Sequence, residues 1–221
     1  MATSTSGWSW SETHSTVVIY HSNDGGVRWQ IVKTIPMRSG TSIHGFSTTF
    51  GPSYANVSWL EKIDQRVYLH TFSSSDNGIK WYAGIPLRLP NWVYGISSSY
   101  FLNRQKGWVL LTSSPALGLM SKMIVRTVDG GMDWQLLFET SRKGSQGEFS
   151  GGYPSLMAFR SRSLGWIGIE GRTTPGSLHL MESVTGGASW QGSASRFRKS
   201  MIRCTLRRPL FAFSTVDRRG S

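Results

Sequence analysis

Four octapeptides constrain this chain more than anything else in it: SNDGGVRW at 22–29, SSDNGIKW at 74–81, TVDGGMDW at 127–134 and SVTGGASW at 183–190. Each has a hydroxyl first, a glycine fifth and a tryptophan eighth. The third place is aspartate in three copies and Thr185 in the fourth. The closing tryptophans, Trp29, Trp81, Trp134 and Trp190, stand 52, 53 and 56 residues apart. A period of this size marks an array of like supersecondary units, each of which buries its apolar faces only against its neighbours.

The text between the boxes reads as strands. STVVIYHS, VYLHTFSS, KMIVRT and SLHLMES lead into the four boxes, and WQIVKTI, WYAGIPL and WQLLFE leave three of them. Further upstream lie pairs such as VYGISSSY with GWVLLTS, and SLMAFRS with LGWIGIE. These runs are short, β-branched and aromatic, and Gly, Ser, Asn and Pro separate them. No long segment carries a 3.6-residue period. Four strands to a unit of about 50 residues is the grammar of a propeller blade.

The box resembles the Asp-box, or BNR repeat, of sialidases, sortilin-type receptors and bacterial propellers related to photosystem II assembly factors. The cadence from Gly107 to Trp134, GWVLLTSSPALGLMSKMIVRTVDGGMDW, is most similar to the last group. The likeness runs from about Gly7 to Gln191. It implies an all-β fold, a partial β-propeller of four-stranded antiparallel blades, with each box at the hairpin between a blade's third and fourth strands. It also implies that the boxes lie at the blade periphery, away from ligand sites. Full-length relatives of this kind are exported or belong to the cell envelope.

The residue types suit a structural turn. Gly26, Gly78, Gly131 and Gly187 can take the positive φ that other residues resist. Asp24, Asp76 and Asp129 can accept bonds from N–H groups inside the turn, and Ser22, Ser74, Thr127 and Ser183 can add one. The tryptophan opens the fourth strand and buries apolar area. The first box, NDGGVRW, offers one carboxylate, too few for calcium, which wants several convergent oxygens and a distal bidentate Glu.

The search for chemistry returns little. His14, His21, His44, His70 and His179 show no ligand spacing, and Cys204 is the single cysteine, so neither a zinc site nor an internal disulfide is expected. No nucleophile elbow occurs. The glycine-rich stretch 141–154 lacks phosphate-loop spacing and reads as a long loop. The sialidase resemblance implies an Arg-Ile-Pro, an arginine triad, a Tyr/Glu pair and an acid/base Asp; the nearest text, GIPLRLP at 84–90, departs from it. The expectation is therefore no catalytic residue, no metal, no cofactor and no enzymatic activity.

In a propeller the connections from strand 2 to 3 and from strand 4 to the next strand 1 share one face, opposite the boxes. That face is expected to carry Arg38, Arg88, Lys122, Arg142 and Lys143, a basic surface for an acidic protein, peptide or glycan.

The net charge is +12, with 24 Lys and Arg against 12 Asp and Glu. Residues 191–221 hold eight of those cations and one Asp, so the body is only mildly basic. The tail breaks the repeat cadence. It reads as a basic arm or, in the reading we favour, as a shifted frame, since suitable codons read one frame over give a loop and a first strand. The expected organisation is a disordered start at 1–6, about three and a half blades over 7–191, and a disordered or out-of-frame tail over 192–221. The first unit has no room for its own first strand before Trp8, and no fourth strand is recognisable after Trp190. An open ring exposes two blade faces; at roughly 600 Å² of apolar surface each, this forfeits on the order of 15 kcal/mol per face. Self-association through open blade edges follows as an expectation.

Neither a membrane span nor a secretory signal is recognisable. The function expected first is a non-catalytic scaffold or protein- or glycan-binding module. A sialidase-type glycosidase fragment comes second, and a nucleic-acid binder using the tail third.

Overall fold

The computed structural model describes residues 6–12, 16–36, 42–116, 120–140, 151–171 and 178–193. They form sixteen strands in four antiparallel sheets. The first sheet holds β1 (Gly7–Glu12), β2 (Thr16–Ser22) and β3 (Gln30–Pro36). The second holds β4 (Ser42–Phe50), β5 (Ala55–Ile63), β6 (Arg66–Ser74) and β7 (Tyr82–Ala83), with β8 (Leu87–Leu89) pairing β6 beyond β7. The third is β9 (Gly95–Phe101), β10 (Gly107–Thr112), β11 (Lys122–Thr127) and β12 (Gln135–Glu139). The fourth is β13 (Tyr153–Phe159), β14 (Gly165–Glu170), β15 (Leu178–Ser183) and β16 (Gln191–Gly192). Every sheet is a meander in sequence order, the arrangement of a partial β-propeller.

All four boxes connect the strand before the outermost one to the outermost strand. In the first sheet these are β2 and β3, so β1 corresponds to β5, β10 and β14. The fourth strand of the second sheet is split. Pro86 has no N–H to give a ladder, and the chain leaves β6 after Gly84, whose N–H donates to Thr71 O at 2.9 Å, and rejoins it at Leu87. In the gap, Ile85 N donates to Met132 O of the third sheet's box at 2.8 Å.

The fourth sheet corrects one expectation. A fourth strand follows Trp190: Gln191 and Gly192 pair with Glu182 and Met181, and Ser193 N donates to Leu180 O at 2.8 Å. Ladder bonds are made by the backbone, so the loss of repeat cadence after Gln191 does not end the sheet there. The remainder of the basic tail, 194–221, and residues 1–5 of the expected disordered start lie outside the described residues. Ser6, the last residue of that start, is placed, and its Oγ lies 2.9 Å from His21 Nε2.

The core sits between sheets. Strand alternation gives each central sheet two apolar faces. Val17, Ile19 and Ile35 of the first sheet meet Val57 and Trp59 of the second. Leu60, Val67 and Leu69 meet Val109, Leu111, Met123 and Val125 of the third. Trp108, Leu110 and Ile124 meet Ile167, Ile169 and Met181 of the fourth. The inner strands are joined by hydroxyls. Ser47 and Thr49 of β4 lie 2.7 and 3.0 Å from Ser99 Oγ of β9, and Ser97 Oγ donates to Pro154 O of β13 at 2.9 Å.

Candidate functional site

The boxes share one hydrogen-bond pattern. Gly26, Gly78, Gly131 and Gly187 donate their N–H to the first-place hydroxyl of Ser22, Ser74, Thr127 and Ser183 at 2.8, 2.9, 2.9 and 2.8 Å. That hydroxyl donates to the third-place carboxylate: Ser22 to Asp24 at 2.8 Å, Ser74 to Asp76 at 2.9 Å, Thr127 to Asp129 at 2.7 Å. The carboxylate takes the N–H of Arg28 or Lys80 at 2.9 Å; Asp129 takes those of Met132 at 3.0 Å and Asp133 at 3.1 Å. In the fourth box Thr185 Oγ1 accepts from Ser189 N at 2.9 Å. Two successive positive φ values carry each turn, 81° and 91° at Gly130 and Gly131, with Asn77 at 59° replacing the first glycine of the second box. The N–H groups of Arg28 and Lys80, first among several bonds, hold the carboxyls of Asp24 and Asp76 below the usual carboxylate range.

The boxes also join the sheets. Each of the last three is seated on the sheet before it. Trp81 meets Trp8 edge-on at 6.5 Å, and a Cβ on Gly78 would lie 3.1 Å from Val32. Trp134 Nε1 donates to Thr71 Oγ1 at 3.1 Å, and a Cβ on Gly131 would lie 2.6 Å from Thr71. Trp108 Nε1 donates to the Gly186 carbonyl at 2.8 Å while its ring stacks on Phe159 at 3.8 Å. The sequence signal for this docking was the Gly-Trp pair at 7–8, 107–108 and 165–166, which opens the second strand of three units. The second unit has Ala55-Asn56 instead, and the buried amide of Asn56 has no hydrogen-bond partner among the described residues.

The basic face is not assembled as expected. Lys122 is fully buried; its ammonium donates to the carbonyls of Met120, Gly151 and Gly152 at 2.8, 3.3 and 3.1 Å. It pins the start of β13 to β11 and presents no charge to solvent. Arg88 on β8 is exposed. Arg38, Arg142 and Lys143 lie outside the described residues. On the same end of the second sheet, Glu61 Oε2 pairs with His70 Nε2 at 2.8 Å, and the imidazole stacks on Trp59 at 5.2 Å.

A cavity of about 580 Å³ lies where the inner edge of the first sheet approaches β4 and β9. Ser6, Trp8, Thr48, Thr49, Phe50 and Ser99 line it, with Gly51 of the β4–β5 hairpin. That hairpin is at the box end of the sheets, opposite the face the sequence nominated. None of the described lining residues carries a formal charge. Trp8 stacks on Phe50, rings 5.2 Å apart and 3° from parallel, and backs onto His21 at 4.3 Å. Burial lowers the His21 pKa, so the ring behind the wall is neutral near pH 7. The cavity escapes a motif search because its hydroxyls come from three sheets and no short pattern connects them. Among the described residues no three His, Cys, Asp or Glu side chains are grouped to hold a metal, and no helix is long and apolar enough to cross a membrane.

No protein-family model matches the chain, and no curated protein does. Solved structures do. They include a cobalt-substituted Synechocystis apocarotenoid oxygenase, at 12% identity and TM-score 0.45 over 84% of this chain. Another is a chimera of apocarotenoid oxygenase and RPE65, at 12% identity and TM-score 0.44 over 84%. The chain spans 45% of the length of each. The likeness is one of architecture and goes no further. It corrects one expectation all the same: the matched structures are those of enzymes, so the exclusion of enzymatic activity drawn from missing motifs does not stand.

Proposed function

We propose that the chain is an Asp-box propeller module that binds a neutral glycan in the cavity between the first three sheets. The observation that carries this reading is the lining itself. Ser6, Thr48, Thr49 and Ser99 line the cavity beside an aromatic wall of Trp8 and Phe50, and none of the described lining residues carries a formal charge. Pyranose rings present apolar C–H faces and a rim of hydroxyls, and such a wall pairs with both. A volume of about 580 Å³ lies within the usual range for a small-molecule site. The shared turn geometry of the four boxes supports the Asp-box assignment.

Two readings weigh less. An acidic partner on the opposite face loses Lys122 to burial. A sialidase-type site would need arginines and carboxylates, and the cavity wall has neither.

Titration with a panel of neutral and acidic oligosaccharides, read by tryptophan fluorescence and calorimetry, tests the proposal. Neutral sugars are expected to bind, Ser99→Val and Thr49→Val to weaken binding about tenfold or more, and Arg88→Ala to leave it unchanged. Binding only of acidic ligands, abolished by Arg88→Ala, would overturn it.

A further inference from the structure

The two terminal sheets each present a face that is covered in the middle of the molecule. Among the described residues the glycines of the first box meet no other sheet: a Cβ on Gly25 would meet nothing within 4 Å, and one on Gly26 would meet only Trp29 of the same box. Trp29 is 44% exposed, Val27 79% and Ile31 63%. At the other end, Trp166 occupies the place of Trp8 and Trp108, the residues on which the next box sits. Register puts Ala158, Glu182, Leu178 and Leu180 on the same face as Trp166. Leu156 shares that face by strand alternation, and it and Leu178 are 69% and 59% exposed.

These faces are the two halves of the contact that the molecule makes three times inside itself. One offers a glycine turn closed by a tryptophan; the other offers a tryptophan on a second strand, flanked by aliphatics. Their charges also complement each other, with exposed Arg28 in the first box and exposed Glu170 on the fourth face, where half-buried Glu182 accepts from Trp166 Nε1 at 3.2 Å. Both belong to one chain, and their exposure shows that they do not cover one another.

We propose that two copies of this chain associate head to tail, the first box of each seated on the Trp166 face of the other. The contact is heterologous, and a pair closes by making it twice. Size decides that both contacts form. Strands about 4.8 Å apart rising about 3.3 Å per residue give a face of three or four six-residue strands an area of roughly 300–400 Å² in plan. Counted on both partners, one such contact falls short of the roughly 1,200 Å² of a stable interface, and two together exceed it.

Light scattering and sedimentation of the full 221-residue chain across a concentration series test this. A particle of twice the chain mass is expected. Trp29→Arg and Leu178→Arg, both at exposed positions, are each expected to weaken association about tenfold or more while leaving the thermal transition of the monomer in place. In an equimolar mixture of the two variants each mixed pair retains one intact contact, which by its size falls short of a stable interface, so the mixture is expected to pair more weakly than the parent chain. A chain that stays monomeric, a dimer that both variants leave intact, or a mixture that pairs as tightly as the parent chain would each overturn the proposal.

Discussion

The first and third boxes, SNDGGVRW and TVDGGMDW, share aspartate, both glycines and tryptophan and the same hydroxyl–carboxylate hydrogen-bond pattern, yet they sit in opposite surroundings. Trp29 is 44% exposed and touches its own turn; Trp134 is 4% exposed, bonded to Thr71 and edge-on to Phe101 at 6.1 Å. The turn is therefore a local object that forms wherever its eight residues occur. The same turn becomes part of the core only where a preceding sheet receives it. Two functions, reversing the chain and joining neighbours, are carried by different atoms of one motif. The hydroxyl and carboxylate do the first, and the indole and the glycine faces do the second.

The largest effect expected from this contrast is on the tryptophans. Trp134→Ala should cost about 3–5 kcal/mol in chemical denaturation, as for a large buried aromatic, and Trp29→Ala under about 1 kcal/mol. Equal losses would break the distinction between a docked and an undocked box.

Next in size are the turn acceptors. Asp129→Ala removes the acceptor for two backbone N–H groups and for the Thr127 hydroxyl, and should cost about 1–2 kcal/mol. Thr185→Ala removes the acceptor for one backbone N–H group and should cost less. Urea denaturation of both variants sharpens the comparison between a carboxylate box and its hydroxyl counterpart; a greater loss for Thr185→Ala would refute it.

A smaller effect of opposite sign belongs to Asn56. Its buried amide stands where the three other sheets place tryptophan. Asn56→Leu replaces two unpartnered polar atoms with an apolar side chain and should stabilise by about 1 kcal/mol. A lowered melting temperature would show that the amide has a role the other interfaces lack.

The smallest effect is on acid stability. The folded-state carboxyls of Asp24 and Asp76 lie below their ordinary value of 3.8. Their contribution is thus fully present above the unfolded-state value and is lost as pH falls through the folded-state one. Asp24→Asn should flatten the stability–pH curve below about pH 4 and leave its slope at neutral pH unchanged. A change confined to higher pH would point to another group.

Much of the architecture was legible in the chain. The 52–56 residue spacing and the strand-like runs around it correspond to four meandering sheets, because period-2 alternation and turn chemistry act over neighbouring residues. The site was less legible. Lys122 read as a surface cation because its type and loop position suggested one; it is buried instead, bonded to the nearby Met120 carbonyl and to two carbonyls of the distant Gly151–Gly152 segment. The cavity wall drew no notice, since serines and threonines spread over Ser6, Thr48, Thr49 and Ser99 have no common spacing.

By itself the sequence determined what is local: where strands start, where they reverse, and that eight residues close each reversal with their own side chains. The tertiary structure alone decided what depends on which sheet stands beside which. It buried Trp134 and left Trp29 exposed, withdrew Lys122 from solvent, orphaned the amide of Asn56 and brought hydroxyls from three sheets around one cavity. The physical reason is range. A turn's hydrogen bonds span four residues or fewer, whereas burial and cavity shape depend on contacts between segments about 50 residues apart, which no window along the chain contains.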